Sequence, residues 1–170
     1  PVDEVFVLQF GDEPRFLSDF APGGEDLLSA LAGYEAGGGR AVRDALATGL
    51  IRMRDAAHDK KSLVVLSMGA DEGSRTAAPE VRRAAQRDGV SIHTLLLPSG
   101  LGRWRPGQED DAPTFLIQRL AFETGGLVAI RPDSAERFGG LAGWLDRAAD
   151  DIGSYIRNQY LLQFESINPP

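Results

Sequence analysis

Four consecutive apolar residues, Leu63-Val64-Val65-Leu66, constrain the fold of this chain more than any other stretch. The run is too short for a helix, shows no alternation and has two β-branched residues at its centre. It therefore predicts a strand covered on both faces, as found in parallel sheets with helices on each side. The run follows Lys60-Lys61-Ser62 and stops in Ser67-Met68-Gly69-Ala70-Asp71-Glu72-Gly73-Ser74. In open parallel sheets, ligands bind at loops leaving the carboxyl ends of strands, so this loop is the first candidate for function.

The rest of the chain alternates apolar strands with amphipathic helices. Residues 5–10 read as a strand, Gly11-Asp12-Glu13-Pro14 as a turn, and residues 15–20 as an antiparallel edge strand. A short helix is predicted from Glu25 to about Gly33, with Leu27, Leu28 and Leu31 on one face. The loop Gly37-Gly38-Gly39-Arg40 feeds a helix from Ala41 to about Ala56, whose stripe is Val42, Ala45, Leu46, Gly49, Leu50 and Met53. Beyond the central strand, Pro79 opens a helix that Asp88-Gly89 ends. Residues 90–97 form the next strand, and a polar loop covers 98–111. A helix over 113–123 turns Phe115, Leu116, Leu120 and Ala121 inward, and Gly125-Gly126 stops it. A short strand follows at 127–130. A long helix from Ser134 to about Arg157 carries Phe138, Leu141, Leu145, Ala148, Ile152 and Tyr155. Residues 160–164, Tyr-Leu-Leu-Gln-Phe, read as a last strand. The expected fold class is α/β: a Rossmann-like, open, mostly parallel sheet with helices on both faces and an antiparallel edge hairpin.

At 170 residues the chain fits one domain with a substantial core. Its net charge of -7 argues against binding to a nucleic-acid backbone, which needs a basic face. No apolar run approaches the roughly 20 residues that span a bilayer, and no signal peptide is visible. The absence of cysteine excludes disulfides, thiolate metal sites and cysteine nucleophiles, without selecting a compartment.

The order of these pieces resembles the von Willebrand factor A-type (VWA) domain, and more narrowly a bacterial VWA-related group. The resemblance is carried by residues 3–10, Gly38-Gly39-Arg40-Ala41-Val42-Arg43-Asp44-Ala45-Leu46, residues 63–74, Leu120-Ala121-Phe122-Glu123-Thr124-Gly125-Gly126, and Gln159-Tyr160-Leu161-Leu162-Gln163-Phe164. Each match is short, but together they span nearly the whole chain in the family's order. The resemblance implies a single VWA-like domain over 1–170, an adhesion or assembly role, no enzyme activity and no cofactor. It is also compatible with a bacterial extracytoplasmic location.

Two departures stand out. The family opens with a central strand ending in Asp-x-Ser-x-Ser and then a helix, and no segment here has that motif. The domain is therefore expected to lack its first strand and helix. In the family's order that strand would lie between residues 5–10 and 63–66, and two bare edges of this kind invite aggregation. Three solutions are open: further chain upstream, a strand donated by a second chain, or direct pairing of the two strands. The second departure concerns the metal-ion-dependent adhesion site. Where the family supplies a Thr and an Asp, this chain has Arg40 and Met68. A hard divalent cation wants oxygen ligands. Arginine has no acceptor, and methionine offers only a soft sulfur. The expected site is a degenerate one.

The candidate partner-binding residues are thus Gly38, Gly39, Arg40, Ser67, Met68, Gly69, Asp71 and Trp104. Each has a plainer reading. Arg40 can be a solvated charge at a helix start, and Asp71 with Glu72 a solvated acidic pair. The glycine loop could cradle a phosphate on helix amides, though it lacks P-loop spacing. Ser67 ends a strand without a nucleophile elbow. His93 reads as a hydrogen-bonded structural histidine within an apolar strand. Trp104, between Arg103 and Arg105, is either an exposed anchor or a cover for the sheet. Two alternatives to a protein-binding module remain: a phosphate- or small-molecule-binding α/β protein, and a metal-dependent VWA domain completed by residues upstream of Pro1.

Overall fold

The computed structural model describes residues 3–22, 25–35, 37–97, 113–132 and 139–159. It opens with an antiparallel hairpin of β1 (Glu4–Gln9) and β2 (Arg15–Pro22), whose register shifts on either side of Val7. Helix α1 (Glu25–Ala32) packs on this hairpin. There follow α2 (Val42–Met53), β3 (Lys61–Ser67), α3 (Ala78–Arg87), β4 (Val90–Leu96), α4 (Pro113–Glu123), β5 (Val128–Ile130) and α5 (Gly140–Arg157). The order is the alternation that the apolar runs predict. The expected strand at 160–164 and the loop at 98–111 lie outside the described residues.

β3, β4 and β5 form one parallel sheet in that order, with Leu63 opposite Ile92 and Leu66 opposite Leu95. All seven residues of β4 are buried, because helices cover both of its faces. On one face Val90 and Ile92 meet Val42, Leu46 and Leu50 of α2, Val81 and Ala85 of α3, and Ile117 and Leu120 of α4. On the other, Leu95 meets Trp144, Ala148 and Ile152 of α5. Helices on both faces of a parallel sheet, with an antiparallel hairpin beside it, make this an α/β fold of the expected class.

Several expectations are corrected in detail. β1 and β3 do not share a sheet among the described residues, although Phe6 and Leu63 both reach Gly49 of α2. Direct pairing of the two strands is therefore not seen. The central run is not covered on both sides either. Leu63 and Val65 face α2, whereas Val64 and Leu66 are 51% and 47% exposed, because α5 reaches only as far as β4 and β5.

The other differences lie in the helices. α5 is described from Gly140, where Gly139 and Gly140 have φ of 84° and 72°, outside the right-handed helical region; the expected start at Ser134 lies outside the described residues. Its buried stripe is Trp144, Ala148 and Ile152, with Leu141 exposed, since burying the indole sets the helix rotation. Leu28 and Leu31 of α1 are exposed, and Ala30 makes the buried contact instead.

Candidate functional site

The carboxyl ends of β1 and β3 meet at the amino end of α2, and most of the sequence-chosen residues gather there. The glycine loop is set against the turn after β1. Gly38 has φ of 78°, and the Gly39 amide donates to Asp12 Oδ1 at 2.8 Å. A Cβ on Gly39 would sit 2.5 Å from that oxygen, so a larger residue here would displace the Asp12 carboxylate and its bond to the loop. The Ala41 amide donates to the Gly11 carbonyl at 2.9 Å, which ties the same two segments together. The loop thus turns an amide toward a carboxylate of its own chain. This weakens the phosphate-cradle reading, which needs free donors.

Arg40 joins this loop to the one after β3. Its carbonyl accepts from the Glu72 amide at 3.0 Å, and its guanidinium pairs with the Glu72 carboxylate. Both side chains are exposed, at 46% and 65%. The hydrogen bond and the charge of Arg40 hold the Glu72 carboxyl below its usual range, and Glu72 raises Arg40 in return.

Asp71, next in sequence to Glu72, has a different environment. Its side chain is 3% exposed, and Oδ2 accepts from the Arg43 amide at 2.8 Å and from Ser74 Oγ at 3.0 Å. Arg43 Nε lies 3.3 Å from the same oxygen without hydrogen-bond alignment. Asp71 Oδ1 is buried and has no hydrogen-bond partner among the described residues. α2 starts after Ala41, which has no side chain able to cap it, so Asp71 supplies the missing acceptor from another loop. The reading of Asp71 and Glu72 as a solvated pair therefore holds for Glu72 and fails for Asp71.

Asp44 returns the tie from α2. Burial pushes its carboxyl up, but hydrogen bonds from Thr76 and Arg75, with the nearby Arg43 charge, outweigh this and hold it low. Neither Asp71 nor Asp44 was legible as a cap in the sequence, because both partners lie far along the chain. The only local signal was the lack of any capping side chain at Ala41.

The end of β3 divides sharply by residue. Ser67 is 4% exposed, and its Oγ accepts from the Gly69 amide at 3.0 Å, which closes the turn. Gly69 is buried with φ of 88°. Met68 between them is 56% exposed. Arg40, Glu72 and Met68 are thus the exposed side chains of this end, while Ser67, Gly69 and Asp71 build it. Trp104 lies outside the described residues.

His93 stands apart from this cluster, buried in β4. Its Nδ1 accepts from the Leu127 amide at 3.0 Å, so Nε2 carries the proton toward Ser91 Oγ, 3.1 Å away. The Tyr155 ring packs edge-on against it. Nδ1 ties β4 to the residue before β5, while Nε2 bonds within β4.

A parallel sheet between two helical layers, with a loop cluster at the carboxyl ends of its strands, defines a Rossmann-like α/β domain. No family model and no curated protein matches the chain. Solved structures do, at identities that speak to fold alone. An aerotolerance-related membrane protein from Bacteroides fragilis aligns with TM-score 0.64 and 16% identity over 92% of this chain and 80% of its own. BatB from Bacteroides thetaiotaomicron aligns with TM-score 0.59 and 14% identity, over 88% and 81%. The SpRpn10 VWA domain aligns with TM-score 0.52 and 13% identity, over 76% and 65%. The fold is VWA-like.

Proposed function

We propose that this chain is a protein-interaction module, not an enzyme, and that it engages its partner without a bound metal. The partner face is Arg40, Glu72 and Met68, shaped from beneath by Gly38, Gly39, Ser67, Gly69 and Asp71, with Trp104 as a further anchor. One observation supports the reading most directly: a thioether and an ion-paired guanidinium stand exposed at the end of a parallel sheet where ligands bind. Neither group is a ligand for a hard cation, and the buried carboxylate nearby, Asp71, holds the amide of α2 through Oδ2. The donor set does not fit a metal-ion-dependent adhesion site. An exposed methionine beside an arginine suits contact with a protein surface, where both residue types are enriched. The VWA-like relatives support an interaction role at the level of fold.

Among the described residues β3 is bonded to β4 alone, and its other edge, with Val64 and Leu66 exposed, is a second place where a partner could add a strand. The partner's identity is open to a direct experiment. Proteins retained by the purified chain from an extract of its own cells would be quantified for wild type, Arg40→Ala, Met68→Lys and Trp104→Ala, each with EDTA and with Mg²⁺. The expected result is a set of proteins held by wild type in both conditions and lost with Met68→Lys. Retention that requires Mg²⁺ would support a metal-dependent domain instead. Retention unchanged in all three variants would remove this face from consideration. Calorimetric titration with inorganic phosphate tests the remaining alternative, and the expected outcome is no heat of binding.

A further inference from the structure

We propose that the outer side of α1 and the cleft at its end form a docking surface for a basic amphipathic segment of another protein. Such a segment lays apolar side chains on Leu28, Leu31 and Tyr34 and sets a lysine or arginine among Asp12, Glu13 and Glu35.

The apolar part follows from how α1 sits. The helix lies on the β1–β2 hairpin with Ala30 buried. Leu28 and Leu31, three residues apart and so neighbours on the helix surface, are 77% and 53% exposed. The turn continues past Ala32, since the Tyr34 amide donates to the Leu31 carbonyl at 3.0 Å, and Tyr34 is 57% exposed. A single exposed leucine is ordinary. Large apolar side chains left bare at three successive steps of one short segment mark a contact surface.

The charged part begins where this segment ends. Arg15 Nη2 donates to the Gly33 carbonyl at 3.1 Å and Gln9 Nε2 to the Glu35 carbonyl at 2.6 Å, so the hairpin grips the end of α1. A cleft of about 320 Å³ opens there, lined by Gln9, Asp12, Glu13, Arg15, Glu35 and Gly37. Three carboxylates thus stand against one guanidinium. Arg15 is bonded to Gln9 Oε1 and Gly33, and among the described residues it forms no ion pair with any of the three.

Charge selects the occupant. A divalent ion needs several ligands converging on one point, and no three acidic side chains gather that closely among the described residues. Spread carboxylates beside an apolar surface suit a side chain with a long stem and a cationic head. They repel an anionic lipid surface, and they repel a second copy of a chain whose net charge is -7. A partner carrying lysine or arginine beside apolar residues meets both parts of the surface. None of these side chains belongs to the face of Arg40, Glu72 and Met68, so either surface can fail its test without the other.

Calorimetric titration of the full chain with a synthetic peptide of two Leu-Lys-Lys-Leu-Leu-Lys-Leu repeats tests this. Binding is expected, weakened at least ~10-fold by Leu28→Ser with Leu31→Ser and by Glu13→Gln with Glu35→Gln. All four side chains are exposed, so both variants should keep the wild-type circular dichroism spectrum. Met68→Ser should leave binding unchanged, and so should Asp150→Asn with Asp151→Asn, which removes the same charge from exposed positions of α5. No binding, binding indifferent to the leucine pair, or equal weakening by the α5 pair would each overturn the proposal. Sedimentation of the chain alone and with phosphatidylglycerol vesicles covers the other occupants. Dimers or vesicle binding that disappear with the leucine pair would give the surface to a second copy or to lipid, and overturn it equally.

Discussion

The Asp71 carboxylate caps the Arg43 amide from 28 residues away, joining the loop after β3 to the first turn of α2. The cap is buried and also orients Ser74, whose hydroxyl lies within reach of the Arg43 and Asp44 amides. Asp71→Ala is expected to destabilise the fold by about 1–2 kcal/mol, the upper range for losing a helix cap. Asp71→Asn, which keeps one acceptor, loses less. Urea unfolding measures both, and an unchanged midpoint in Asp71→Ala would return this residue to the list of free contact groups.

Arg40 and Glu72 pair in full contact with solvent, where an ion pair adds little to stability. Arg40→Ala is therefore expected to leave the thermal midpoint unchanged while altering partner retention. A midpoint that falls appreciably would show that the Arg40 side chain holds the two loops together, a task the structure gives to the Glu72 amide and the Arg40 carbonyl.

Gly126 is needed for space, not for conformation. A Cβ at this position would lie 1.8 Å from the Ile92 carbonyl oxygen, which is backbone of the buried strand β4. Relief requires moving β4 or the chain that leads into β5. Gly126→Ala is expected to cost about 3 kcal/mol or more, near the upper range for overpacking, and circular dichroism melts would show it. Gly125, with φ of 75° and open space around it, should tolerate Asn better than Val.

Much of this architecture was readable from short-range pattern. The α2 stripe, the strand at β4 and the stop at Asp88-Gly89 depend on residues within a turn or two of each other, and they appear where expected. Features set by distant chain were not readable. The four-residue run at 63–66 looked fully buried because composition cannot show that no helix among the described residues covers Val64 and Leu66. Trp144, not Leu141, sets the rotation of α5, since the sheet surface selects which apolar residue it takes. The candidate site was located by its place at strand ends. Its division into exposed Arg40, Glu72 and Met68 and buried Ser67, Gly69 and Asp71 required the fold.

Asp88, at the end of α3, gives the fold a sensitivity to acid. It accepts from Arg87 and from Arg54 of α2, and these bonds, only partly opposed by burial, hold its carboxyl at about 2 against an ordinary 3.8. Because the folded value is the lower one, the stabilisation is complete above 3.8 and disappears as pH falls from there toward 2. Both arginines are half exposed, so screening limits the effect to about 1–2 kcal/mol. Asp88→Asn should unfold with a flatter pH dependence in that window. Identical slopes for variant and wild type would mean that the pair contributes nothing.

His93 governs a higher window for the opposite chemical reason. Burial disfavours its charged form and lowers its folded pKa below the ordinary 6.5, and Ser91, Tyr155 and the Leu127 amide around it offer no compensating negative charge. Protonation would also set an N–H on Nδ1 against the Leu127 N–H that it now accepts. Between the folded and unfolded values only the unfolded chain binds the proton. Stability should therefore be full above 6.5 and decline as pH falls below it, by at most about 1.4 kcal/mol per pH unit. His93→Asn offers an acceptor oxygen to Leu127 without a titrating ring, so it should lose this dependence even if its overall stability is lower. Equilibrium unfolding between pH 5 and 8 reads the difference, with amide exchange at Leu127 as the local report. A variant that keeps the wild-type slope would assign the dependence to another group and leave His93 a packing residue alone.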